Sequence, residues 1–238
     1  MIAGPTKFGF RSITYRSGFV YNWLTKRLFD QKRKFLSISK IIGKGKNVLD
    51  IACGTGILAR FLHQSNVYYG IDLNHRFLKK IKKDWKRGKL KPKKIVLKHS
   101  NIFNFENYPR KKYDVIVLSD ILHHIPDKQE LLIENVKRKA NKIIICEPIA
   151  VKPTELKPKD KFFRIVMYFG RFFPEPLLRI LDFIFFDNDG INPYEKRSKW
   201  IQTDESIKNM FNKFGITKVY RIFNEYIGIW ENNGYERK

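Results

Sequence analysis

Cysteine is scarce: Cys53 and Cys146 are the two in 238 residues. Neither looks like half of a disulfide framework, and no C-x-x-C pair offers the ligand spacing of a zinc site. A reduced, cytoplasmic setting is therefore expected, and no metal site is assigned. Residues 1–10 lack an apolar core long enough for a signal peptide. Acidic residues are also few, 23 Asp and Glu against 48 Lys and Arg, for a net charge of +25. Such a field attracts nucleic acid, an anionic membrane surface or acidic substrates. A Lys-, Ile-, Phe- and Asn-rich composition also leaves many lysines simply solvated. No internal repeat or low-complexity tail is present.

What remains is a chain with 43% hydrophobic residues and 20 Phe, long enough for one α/β domain with an elaboration. Its most informative stretch is Val48-Leu49-Asp50-Ile51-Ala52-Cys53-Gly54-Thr55-Gly56. A short β-branched run reads as a buried strand, breaks at two glycines spaced one apart, and gives way to a helical pattern predicted over residues 55–64. A second apolar strand, residues 67–72, ends in Asp72.

Gly54-x-Gly56-x-x-Ala59 fits the dinucleotide fingerprint, with Asp72 placed to bind a ribose hydroxyl. Asp50 argues against a dinucleotide, because a carboxylate entering the turn repels a pyrophosphate there. A cationic ligand is attracted instead. S-adenosylmethionine carries an ammonium and a sulfonium and no phosphate, so it suits Asp50, the turn and Asp72 together.

The strings VLDIACGTG and GIDLN strongly resemble the class I S-adenosylmethionine-dependent methyltransferases. The passage YDVIVLSDILHHIPD, residues 113–127, is similar to the branch acting on small molecules, quinones and lipids. The resemblance covers residues 47–147 well and the final strands by order alone. It implies a Rossmann-like three-layer α/β sandwich. The sheet is expected to have seven strands, mostly parallel, with an antiparallel C-terminal strand and a helical insertion after the fifth.

Within that resemblance, Asp50 and the Gly54–Gly56 turn hold the methionine portion, Asp72 the ribose, and Asn101 and Ile102 the adenine. Ala52, Cys53, Leu73 and Ser119 are further cofactor positions, and Arg16 of the N-terminal arm reaches for the methionine carboxylate. Asn101 departs from the commoner Asp, keeping an acceptor but losing a charge. His124 and His123 are candidate general bases, since imidazole titrates near neutrality, with Asp120 and Tyr194 behind them.

Residues 1–46 are expected to form a helical cap on a domain of residues 47–238, which carries a helical lid over about residues 148–202. Within the lid, residues 162–186 read as two apolar helices broken at Pro174 and Pro176, too interrupted to span a membrane. In the second helix Glu175, Arg179 and Asp182 share a face opposite Leu177, Leu181 and Phe185. This hairpin and the basic charge suggest a small-molecule or lipid-type acceptor met at the cytoplasmic face of a membrane, through peripheral contact with anionic lipid. An RNA methyltransferase is the alternative, although the chain lacks the Asn/Asp-Pro-Pro-aromatic signature and a separate RNA-binding domain. A non-catalytic partner protein on the same fold is the third.

Overall fold

The computed structural model describes residues 9–28, 30–149, 172–185, 188–191 and 203–232. The chain divides into two compact units, Met1–Arg33 with Ala150–Ile201, and Lys34–Ile149 with Gln202–Lys238. Tyr194 and the first helix predicted in the insertion lie outside the described residues.

In the second unit, β1 (Asn47–Ile51), β2 (Val67–Asp72), β3 (Lys94–His99), β4 (Tyr113–Ser119), β5 (Ala140–Pro148), β6 (Lys218–Ile222) and β7 (Glu225–Glu231) form one sheet. Their order is β3-β2-β1-β4-β5-β7-β6, parallel through β5, with β7 antiparallel to both β5 and β6. The central strands are β-branched runs buried on both faces, as parallel strands require. Val48, Leu49, Ile116, Val117 and Ile144 are wholly inaccessible to solvent. The edge strands β3 and β6 are more exposed and carry Lys and Arg, which discourages further strand pairing.

The connections from β1 run one way along the sheet and those from β4 run the other. Right-handed crossovers therefore put their helices on opposite faces, which makes the three layers. One layer holds α4 (His75–Lys86), packed on β2 and β3. Asn74 caps it by accepting from the Arg76 N–H, and Phe77, Leu78 and Ile81 point inward. The other layer holds α5 (Gln129–Lys137), packed on β5. Phe35, Ile38 and Ile42 of α3 (Gln31–Ile42) join the core to which Leu78 and Ile81 of α4 belong. A later helix, Asp204–Lys213, begins with a Thr203 cap, completed as a reciprocal capping box with Ser206.

The helix predicted over residues 55–64 is replaced by a single 3-10 turn, Leu58–Arg60. Of the apolar positions in that pattern, Leu58 and Leu62 are buried, while Ile57 and Phe61 are partly buried against the core. The polar residues that follow compete for the backbone: Ser65 N–H donates to His63 Nδ1, and Asn66 accepts from the Lys46 N–H and donates to Gly43 O. The chain therefore turns early into β2.

The first unit contains α1 (Ile13–Arg16), α2 (Gly18–Leu28) and α6 (Glu175–Phe185). Glu175 and Arg179, on the shared face, pair at 2.9 Å. Asp182 of that face is buried, while Leu177 and Phe185 of the opposite one are exposed. Among the described residues of this unit Ser12, Thr14, Asn188 and Asp189 are also buried.

Candidate active site

The sheet changes direction between β1 and β4, and the crevice outside the carboxyl ends of strands at such a switch point is where open α/β sheets bind ligands. Four adjacent strands deliver the candidate residues to that edge. Asp50 to Gly56 follow β1, Asp72 and Leu73 follow β2, Asn101 and Ile102 follow β3, and Ser119 to His124 follow β4.

The β1 turn is tightly determined. Ala52 takes a left-handed φ of 56°, unusual for a residue with a Cβ, and the Cys53 N–H donates to Ile71 O at 3.0 Å. Gly54 and Gly56 are also left-handed, at 53° and 70°, but they differ in surroundings. A Cβ on Gly56 would sit 2.9 Å from Ile81 Cγ1, whereas one on Gly54 would meet nothing within 4 Å. Gly56 thus allows α4 to close on the turn, and Gly54 keeps open space above it.

Asp72 binds the turn to the next strand. Its Oδ2 accepts the Gly54 N–H at 2.7 Å and its Oδ1 accepts the Asn74 N–H at 2.6 Å. Asp50 is buried and accepts the Tyr68 hydroxyl at 2.7 Å. Burial pushes its carboxyl up to about 7; the Tyr68 hydrogen bond opposes that and the nearby Asp72 charge adds to it. Burial likewise pushes the Cys53 thiol up, leaving it a neutral part of the turn wall.

At the β3 end, Asn101 Oδ1 accepts the Phe103 N–H at 3.0 Å, and Ile102 is buried with its carbonyl accepting the Tyr108 hydroxyl. The Leu73 carbonyl lies 3.0 Å from His99 Nε2. These contacts fix the loop while leaving the Asn101 amide group as a donor.

At the β4 end, Asp120 has a left-handed φ of 55°, and Ser119 Oγ donates to its Oδ2 at 3.3 Å. Its carboxylate is paired with Lys34 Nζ at 2.5 Å, and the same ammonium donates to Glu225 Oε1 at 3.0 Å. Burial works against the Lys34 charge, but the two carboxylates outweigh it and hold the ammonium well above its usual range. Burial also works against the Asp120 charge, and Lys34 more than offsets it. Glu225 stays raised, chiefly by burial. Asp120 is therefore an ion-paired anchor rather than a solitary base.

The two histidines part company. Glu147, fully buried at the end of β5, accepts the Ile121 and Leu122 N–H groups on Oε1 at 2.8 and 2.7 Å. Its Oε2 lies 2.8 Å from His123 Nδ1. A carboxylate only accepts, so Nδ1 carries the proton and Nε2 presents a lone pair. His124 stacks on His123 with ring centroids 4.2 Å apart.

Lys34, Glu147 and Glu225 were not among the sequence candidates. Lys34 shares the 34/38/42 stripe with two buried isoleucines, and Glu147 follows the apolar run Ile143–Cys146 of β5; each is a charge where the pattern calls for an apolar residue. Arg16 belongs to the first unit, where its guanidinium lies 4.2 Å from the centroid of Phe10.

The donor set suits S-adenosylmethionine. Open space lies over Gly54, the two carboxylates entering and flanking the turn favour a cation over a pyrophosphate, and the Asn101 amide can donate to a purine. The comparisons agree. Among curated proteins no match is found. Solved structures share the fold: an S-adenosylmethionine-dependent methyltransferase from Aquifex aeolicus (15% identity, 90% of this chain and 96% of that one, TM-score 0.53) and magnesium protoporphyrin IX methyltransferase from Synechocystis with bound S-adenosylhomocysteine (15%, 91% of each chain, 0.55). The CurJ carbon methyltransferase aligns at 14% identity over 91% of this chain and 58% of that one, with a TM-score of 0.58. The family model described as "Methyltransferase domain" matches residues 42–168, more than half of the sequence. The chain accordingly belongs to the methyltransferase-domain family and is an S-adenosylmethionine-dependent methyltransferase.

Proposed function

We propose that the enzyme methylates a small-molecule or lipid-type acceptor bearing an ionisable proton, with His123 as the general base, working at the cytoplasmic face of a membrane. The observation that carries the acceptor chemistry is His123 held through Nδ1 by Glu147 at the carboxyl end of β4, in the strand next to the one bearing the glycine turn. When bound over the Gly54–Gly56 turn, the cofactor would supply an electrophilic methyl group on a sulfonium. His123 Nε2 would take the acceptor's proton, and Glu147 would stabilise the resulting imidazolium. Asp50 and Asp72 orient the cofactor, and the Lys34–Asp120–Glu225 cluster keeps the β4 loop rigid. The basic composition and the exposed aromatic side chains of the first unit support the membrane setting. Among the described residues no helix is long and apolar enough to cross a membrane, so the contact proposed is peripheral.

The test is calorimetry with S-adenosylmethionine, followed by methyl transfer from the radiolabelled cofactor to a lipid extract and a panel of phenols. Cofactor binding and label in an organic-soluble product, abolished in His123→Gln with binding intact, are expected. Absence of cofactor binding overturns the proposal, as does undiminished transfer by the variant.

A further inference from the structure

Among the described residues of the first unit, the buried side chains are all polar: Ser12, Thr14, Asp182, Asn188 and Asp189. Several of its described large apolar side chains are exposed. In α2 the exposed residues are Phe19, Trp23 and Lys26, one stripe at i, i+4 and i+7. Phe19 is 73% exposed and Trp23 44%. A helix packed on a protein core in water turns this stripe inward. In α6 Ile180 and Phe183 are exposed while Asp182 is buried. Phe10, exposed ahead of α1, stacks on Phe183 with ring centroids 4.8 Å apart, which extends the exposed apolar surface of α6 to the residues ahead of α1.

Exposed apolar surface of this extent marks a docking face, and charge selects its occupant. Residues 9–33 contain six Lys and Arg against the single acid Asp30. Two of these cations sit beside the exposed rings, Arg27 at 4.2 Å from the centroid of Trp23 and Arg16 at the same distance from Phe10. Aromatic side chains flanked by guanidinium groups match the interface of an anionic bilayer, where rings enter the headgroup region and cations meet lipid phosphates.

We infer that α1, α2 and α6 form a peripheral membrane-binding face that inserts Phe19, Trp23, Ile180 and Phe183 into an anionic lipid surface. The inference rests on the lipid-type reading above and narrows it. The docking face is shared with the N-terminal arm and does not reside in the insertion alone.

The experiment is co-sedimentation of the full chain with vesicles of phosphatidylcholine alone or mixed with phosphatidylserine, alongside calorimetry with S-adenosylmethionine. The wild-type chain is expected to bind the mixed vesicles and to be released by salt. The Phe19→Ser/Trp23→Ser double variant is expected to bind them about tenfold or more weakly, with unchanged cofactor affinity and thermal midpoint. An Ile180→Ser/Phe183→Ser variant on the other helix is expected to do the same. No binding to anionic vesicles, or wild-type binding by both variants, overturns the inference. So does sedimentation equilibrium showing a wild-type dimer that the double variant dissociates, since the face then belongs to a second copy. Cofactor calorimetry separates these results from a failure of the enzymatic reading.

Discussion

The Gly54 N–H donates to Asp72 Oδ2 at 2.7 Å, joining the glycine turn of β1 to the end of β2. Asp72 is thus a structural part of the turn before any ligand arrives. Asp72→Ala strands two backbone N–H groups, Gly54 and Asn74, and should cost about 2 kcal/mol in urea unfolding. Asp72→Asn retains one acceptor and should lose less stability, while S-adenosylmethionine affinity falls about tenfold in calorimetry. Equal stability losses for the two variants would contradict this account.

Asp50 makes the enzyme without cofactor sensitive to pH. Its folded value of about 7 lies above the ordinary 3.8, so the folded state holds a proton the unfolded chain has released. The associated stability is full below about pH 4 and is lost as pH rises through about 7. Asp50→Asn should therefore raise the thermal midpoint at about pH 8 and change it little near pH 4. Its cofactor affinity should fall, since the charge that attracts the ligand is gone.

Gly54 and Gly56 should respond differently to alanine. Gly56→Ala meets both a left-handed backbone and Ile81 at 2.9 Å, for a loss of about 2 kcal/mol or more. Gly54→Ala meets only the backbone penalty, about 1 kcal/mol, but places a methyl group in the space above the turn. Thermal melts should rank Gly56→Ala as the less stable, and calorimetry should show clear loss of cofactor binding in Gly54→Ala.

Lys34→Met leaves Asp120 and Glu225 facing each other without their cation. A loss of about 3 kcal/mol is expected, growing as pH rises and both carboxylates ionise. Adding Glu225→Gln should recover part of it. No recovery in chemical denaturation would show that Lys34 acts through packing alone.

Glu147 should set the tautomer of His123. Long-range proton–nitrogen NMR is expected to show the Nδ1–H form of neutral His123 in the wild type. In Glu147→Gln the amide oxygen must serve the Ile121 and Leu122 N–H groups, which turns the NH2 towards Nδ1. The Nε2–H form should then appear. The Nε2–H form in the wild type would remove Glu147 as the positioning residue.

The legible parts of the site are those built within a short span of chain. Asp50, Gly54, Gly56 and Asp72 belong to one strand–turn–strand unit, where spacing alone dictates which groups converge. Apolar runs located the strands, the seven-stranded and mostly parallel sheet was what the family resemblance implied, and the strand order was decided by the tertiary structure. Residues 55–64 misled, because their apolar spacing fits a single turn as well as a helix, and local polar bonds decided between them.

The sequence by itself determined the strand, glycine turn and flanking carboxylates at the end of β1, since that unit needs only local backbone geometry. Tertiary structure alone decided the contacts beyond it. Lys34 reaches an acid 86 positions away and Glu147 reaches back 24 to a histidine, pairings that no periodicity encodes and that burial makes obligatory. It also decided that α6 buries Asp182 and exposes Ile180 and Phe183, a choice of face that helical spacing alone leaves open.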